Sequence, residues 1–149
     1  MIDIAKLQTY SLFGGLTEAD LGIVKPYLCG ASYEAGDDII REGQTNGRIH
    51  FLVEGRVEVR RRDRRLVELA EGDAFGEVEV LDVRPAVASI RALTPARVLY
   101  LSNHNLHEVY KTDARVFAML VMNLARELAR RLRRMDELLC PEPGAGETT

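Results

Sequence analysis

At 149 residues the chain has the length of one domain, enough to bury a substantial core. Twenty Lys and Arg against 23 Asp and Glu leave a formal charge of −3, so charge alone points to neither nucleic acid nor a membrane surface as partner. With 46% hydrophobic and 29% charged residues the composition is that of an ordinary folded protein, which excludes disorder for the body of the chain.

The first segment, Met1 to Leu28, reads as short helices. Thr17 followed by Glu18 and Asp20 predicts a helix start, with Thr17 as N-cap and acids in the first turn. Leu21, Val24 and Leu28 then fall at helical spacing, and Gly14-Gly15 separates this helix from what precedes it. Cys29 and Cys140 are too few for a disulfide framework or a four-ligand metal site. No signal peptide opens the chain and no apolar run has the length of a membrane span, so a reducing cytoplasm is the expected location.

From about residue 31 the pattern changes to short alternating runs broken by Gly and Asp: SYEAGDDIIREGQ, IHFLVEGRVEVRRR, RLVELAEGDAFGE and VASIRALTPARVLYLS. IHFLV and RVEVR have the β-branched and aromatic content of strands. Glycines 36, 43, 47, 55 and 72 sit between runs, where tight turns call for positive φ, and Arg62-Asp63-Arg64 is the expected hairpin tip. Many short strands with frequent turns predict a small antiparallel barrel or jelly roll over 31–102.

After Asn103 helical periodicity returns, with Thr112 or Asp113 placed to cap a helix beginning at Ala114. Phe117, Val121, Leu124, Leu128, Leu132, Met135 and Leu139 recur mostly three and four apart, over roughly 35 Å at 1.5 Å per residue. A small barrel covers only part of that stripe, and the near-3.5 spacing of Phe117 to Met135 fits a parallel two-helix seam. The sequence thus divides into N-terminal helices (1–30), a β-roll (31–102) and C-terminal helices (103–139) in a single domain. Residues 140–149 follow as a Pro/Gly-rich tail expected to be disordered.

The order of these pieces resembles the cyclic nucleotide-binding domain family from Leu12 to about Leu139. The carrying residues are LFGGLTEADL, YEAGDDIIREGQ, IHFLVEGRVEV, LAEGDAFGE and PAVASIRALTPARVLYL, five pieces in order with the right gaps. The resemblance implies a mainly β fold, a jelly-roll flanked by N-terminal helices and a long C-terminal helix. It also implies a phosphate cassette at Phe75, Gly76, Glu77, Val78, Glu79, Arg84, Ala86, Val87, Ala88 and Ser89. In the family, backbone N–H groups after Phe-Gly-Glu point at the cyclic phosphate, as at any helix N-terminus. Glu77 corresponds to the Glu that accepts a hydrogen bond from the ribose 2′-OH.

Two positions depart from the pattern. Nine residues beyond Glu77, where the family has a phosphate-pairing Arg, stands Ala86, framed by Pro85 and by Ala88-Ser89-Ile90. Glu79 stands where the family has a small residue. Removing one partner of a buried charge pair costs roughly 2–5 kcal/mol, about thirty- to several-thousand-fold in affinity, and with the repulsion of Glu79 added a micromolar site becomes a millimolar one or worse. The expectation is that cAMP or cGMP is not held in the usual manner. Either Glu77 and Glu79 occupy the anion position themselves, or a rearranged site uses Arg84 or Arg91 for another small anion.

The remaining candidates are weaker. His104 and His107 lack a third ligand, and His50 lacks the neighbouring histidines of a metal-binding cupin strand, so no metal is expected. The arginines of RRRDRR (60–65) and RELARRLRR (126–134) read as solvated faces, without interleaved aromatics to stack on bases. No nucleophile–base constellation is visible, so no enzyme is expected, and the chain stops about ten residues after the long helix, where DNA-binding relatives place a helix-turn-helix. Relatives such as the catabolite activator protein dimerise through this helix, which implies a homodimer and possible work beside a separate effector protein. Two functions fit: a ligand-sensing regulatory module, or a ligand-independent dimerisation and interaction module with a vestigial pocket.

Overall fold

The structure, a computed structural model, describes residues 4–76 and 84–139. Its N-terminal part holds helix α1 (Ile4–Leu7), a 3-10 turn (Ser11–Phe13), helix α2 (Glu18–Val24) and a second 3-10 turn (Lys25–Tyr27). Thr17 caps α2 as expected: its hydroxyl accepts from Asp20 N at 3.1 Å, and Asp20 Oδ2 accepts from Thr17 N at 3.0 Å. Pro26 ends the α-helical run and tightens it into the second 3-10 turn.

Eight strands follow among the described residues: β1 (Cys29–Tyr33), β2 (Asp38–Ile40), β3 (Arg48–Glu54), β4 (Val57–Arg61), β5 (Arg64–Leu69), β6 (Ala74–Phe75), β7 (Ser89–Ala92) and β8 (Ala96–Ser102). They form two four-stranded antiparallel sheets in the orders β1-β8-β3-β6 and β2-β7-β4-β5. The predicted jelly roll is therefore present, and Arg62-Asp63 turns the β4–β5 hairpin with Arg62 at φ 52°. Of the five glycines expected at positive φ, Gly36, Gly43, Gly55 and Gly72 have it and Gly47 does not. Most arginines at the hairpin form the solvated face expected of them, with Arg61, Arg62, Arg64 and Arg65 exposed and Arg60 half-buried. Arg60 and Arg65 close on Glu58 at 2.8 and 2.6 Å and hold its carboxyl below the usual range.

Two further helices end the described residues, α3 (Asn103–Thr112) and α4 (Ala114–Leu139). Ser102 caps α3 by accepting from Asn105 N at 3.0 Å. Asp113 caps α4, its Oδ1 accepting from Arg115 N at 3.0 Å and Val116 N at 3.1 Å.

Alternation along β3 creates two cores. Ile49 and Phe51 join the helices' cluster with Leu7, Phe13, Leu21, Leu101, Leu120 and Leu124. Phe51 meets Phe13 edge-on at 5.1 Å, and burying such a ring contributes about 2–3 kcal/mol. Leu52 faces the roll interior with Ile40, Val57, Phe75, Ile90 and Val98. Polar contacts bind α4 to the N-terminal part, among them Ser11 Oγ donating to Glu127 Oε2 at 3.3 Å. Asn123 donates to the carbonyls of Leu12 (3.0 Å) and Gly14 (2.8 Å), and Arg115 pairs with the Asp20 carboxylate.

Candidate functional site

Strand β6 is the edge of its sheet, and its two residues lead straight into the cassette. Phe75 pairs with His50 and Ala74 with Phe51. At Gly76 the backbone turns to φ +83°, a region open to glycine at no steric cost. A Cβ here would lie 2.7 Å from Asn46 Nδ2 and 2.9 Å from Arg48 O, so space also requires glycine. The contact responsible is functional in the fold: Asn46 Nδ2 donates to Gly76 O at 2.9 Å and to Arg48 O at 3.0 Å, while its Oδ1 accepts from Arg48 N at 3.2 Å. The buried Asn46 amide thus fastens the end of β6 to the β2–β3 loop.

Glu77, Val78 and Glu79 lie outside the described residues, as does the tail from residue 140. From Arg84 onward the chain is described again. Arg84 and Pro85 are exposed. Ala86 is only 3% exposed and belongs to the apolar cluster inside the roll with Ile40, Phe75 and Ile90. Its backbone is held on both sides by the same β2–β3 loop: Ala86 N donates to Gln44 O at 2.9 Å, and Gly43 N donates to Ala86 O at 2.7 Å. Val87 is exposed and Ala88 half-buried. Ser89 Oγ accepts from Glu42 N at 2.9 Å, which occupies the hydroxyl in positioning that loop.

The loop 42–46 therefore braces both described ends of the cassette, Gly76 through Asn46 and Ala86 through Gly43 and Gln44. Sequence reasoning missed Asn46 and Gln44, because nothing local distinguishes them from ordinary turn residues. It also missed His50 as a neighbour of the cassette. That imidazole stacks on Phe75 (centroids 4.9 Å, planes 4° apart), and burial lowers its pKa to about 4.

The other candidates separate. Arg91 alternates with the buried Ile90 and Ala92 and pairs with Asp38 at 3.0 Å, so it lies on the outer face of its sheet and not in the roll. His104 and His107 are exposed on α3. Helix α4 reaches the cassette through Arg131, which donates to Ala74 O, two residues before Gly76. Glu127 steadies that side chain at 3.4 Å and binds Arg130 at 2.6 Å.

The predicted stripe of α4 divides between two faces. Leu124 is 3% exposed and belongs to the helices' core with Val116 and Leu120, and Phe117 is half-buried against Tyr110. Val121, Leu132 (61%) and Met135 (57%) are exposed, with Leu128 half-buried between them. Together with Ala125 and Leu139 these outward residues run four and three apart in strict alternation from 121 to 139.

Residues 31–113 match the family described as "Cyclic nucleotide-binding domain". Among known proteins, the chain is 38% identical over 77 residues to the rabbit (Oryctolagus cuniculus) potassium/sodium hyperpolarization-activated cyclic nucleotide-gated channel 4, covering 52% of this chain and 7% of the channel. It is 30% identical over 130 residues to the cyclic AMP receptor protein of Thermus thermophilus, covering 84% of this chain and 58% of the receptor. The crystal structure of Thermus thermophilus catabolite activator protein superposes with a TM-score of 0.76 at 28% identity, over 87% of this chain and 61% of that one. The chain thus spans less than two thirds of these relatives. Among the described residues no helix is long and apolar enough to cross a membrane.

Proposed function

The chain belongs to the cyclic nucleotide-binding domain family, and from that premise we propose that it is a non-enzymatic sensor domain that does not hold cAMP or cGMP through the usual phosphate contact. Ala86 carries this reading. Its methyl group lies in the apolar interior where the family places a guanidinium, and paired hydrogen bonds to the β2–β3 loop keep the chain from sliding in register. Arg91 is engaged on the outer face with Asp38 and does not substitute. Loss of that pair weakens cyclic nucleotides by roughly thirty- to several-thousand-fold, and the effector of the roll is a different small anion.

Output passes through α4. Arg131 links that helix to β6 beside Gly76, so a ligand that shifts the cassette shifts the helix. The outward alternation Val121, Ala125, Leu128, Leu132 and Met135 pairs with its copy in a second chain, making the working unit a homodimer. A second reading rests on the same exposed stripe: a self-complementary apolar face suits a module that dimerises without a ligand and acts through its surface, with a vestigial pocket and a separate effector protein.

Calorimetric titration with cAMP and cGMP, run beside Ala86→Arg, separates the possibilities. Millimolar or undetectable binding by the wild type supports the proposal, and a gain in Ala86→Arg shows a pocket intact but for its charge. Silence in both favours the vestigial reading. Micromolar binding by the wild type refutes the role assigned to Ala86.

A further inference from the structure

A cavity lies on the far side of β3 from the roll interior, between the outer face of the first sheet and helices α3 and α4. Its volume is about 430 Å³, within the roughly 300–1,000 Å³ typical of small-ligand pockets. Leu12, Ile49, Leu101, Leu120 and Leu124 floor it, and every one of them is buried. Leu106, Phe117 and Val121 complete its walls, so the space is an apolar recess open to solvent at one side, with an aliphatic floor.

The mouth has a different chemistry. Asn103, His107 and Tyr110 stand at it, each able to donate a hydrogen bond from its side chain. Among the described residues none of these three side chains has a hydrogen-bond partner in the protein. Tyr110 instead stacks on His107 (6.0 Å) and meets Phe117 edge-on at 5.3 Å, forming an aromatic lip over the aliphatic floor.

We propose that this cavity binds a small amphiphile of the fatty-carboxylate class, its chain on the aliphatic floor and its carboxylate accepting from Asn103, His107 and Tyr110. The floor excludes a polar body, since burying polar groups there without partners costs several kcal/mol. The three donors select a head that accepts hydrogen bonds. Val121 lines the cavity and also lies on the outward stripe of α4, so an occupant braces α4 where that stripe begins. This site is separate from the cassette and does not depend on what the roll binds.

Decanoate is the probe, titrated into the full chain by calorimetry and followed by methyl NMR. The expected result is saturable binding of one molecule per chain, with shifts at Leu101, Leu120 and Leu124 and none at Leu52 or Val57 inside the roll. Leu106→Trp, which fills the cavity from α3, weakens binding by at least about tenfold, and His107→Ala by about three- to tenfold. Should Leu106→Trp not fold, the shift map alone decides. Non-saturable binding, shifts centred in the roll, or equal affinity in wild type and a folded Leu106→Trp would overturn the proposal.

Discussion

His50 should make the stability of the fold depend on pH. The imidazole is 2% exposed, stacked on Phe75, and its Nδ1 has no hydrogen-bond partner. Burial first, and the nearby Arg48 charge second, depress its pKa from 6.5 to about 4, although a hydrogen bond with the Arg48 backbone opposes the shift. In the unfolded chain the group regains its ordinary value. Below about pH 6.5 the unfolded state therefore takes up a proton that the folded state refuses until about pH 4. Stability is complete above that window and is lost as the pH falls through it. Linkage gives a loss of about 2 kcal/mol between pH 7 and pH 5, reaching about 3 kcal/mol by pH 4. Carboxylates with lowered pKa values add their own loss at the acid end. The informative quantity is therefore the difference between wild type and His50→Phe, in which a ring still stacks on Phe75 but does not titrate. Urea unfolding curves at the two higher pH values measure it. His50→Phe should lose about 2 kcal/mol less than wild type on acidification. Equal losses in the two proteins would mean that His50 is solvated in the folded state and that its placement behind the cassette is wrong.

Three further outcomes test other parts of the structure. Asn123→Leu removes the donor shared by the Leu12 and Gly14 carbonyls, and denaturant unfolding should show a loss of about 2–3 kcal/mol from acceptors left without a partner. Gly55→Ala puts a methyl group at φ +96° into Pro95 O and within 2.9 Å of Ala96 Cα. Thermal unfolding should show a loss of at least about 2 kcal/mol, where an open positive-φ site such as Gly36 gives less. Leu132→Glu combined with Met135→Glu, at exposed positions, should convert a dimer to a monomer by sedimentation while far-UV circular dichroism keeps the signal of a folded roll.

Much of the fold was legible in the residues because the signals are local. Thr17 with Asp20, and Asp113 before Ala114, announce helix starts through bonds that reach no further than the first turn. Arg62-Asp63 and the glycines at 36, 43, 55 and 72 mark turns through their own backbone angles. The gap from Phe75-Gly76 to Ala86 is likewise read from the residues alone, and the expectation of a cassette without its Arg rests on it.

What the residues alone determined was therefore the order and type of the elements and the family resemblance that places a cassette between Phe75 and Ser89. Only the tertiary structure decided which face of α4 is committed to the core, placing Leu124 inside and Leu132 and Met135 outside, because one helical periodicity serves two apolar faces equally well. Only it brought Asn46, Gly43 and Gln44 to the ends of the cassette, and Arg131 to Ala74 across 57 positions of sequence. It alone opened a cavity between β3, α3 and α4. Such partners are chosen by how layers pack, and packing joins residues that share no spacing along the chain.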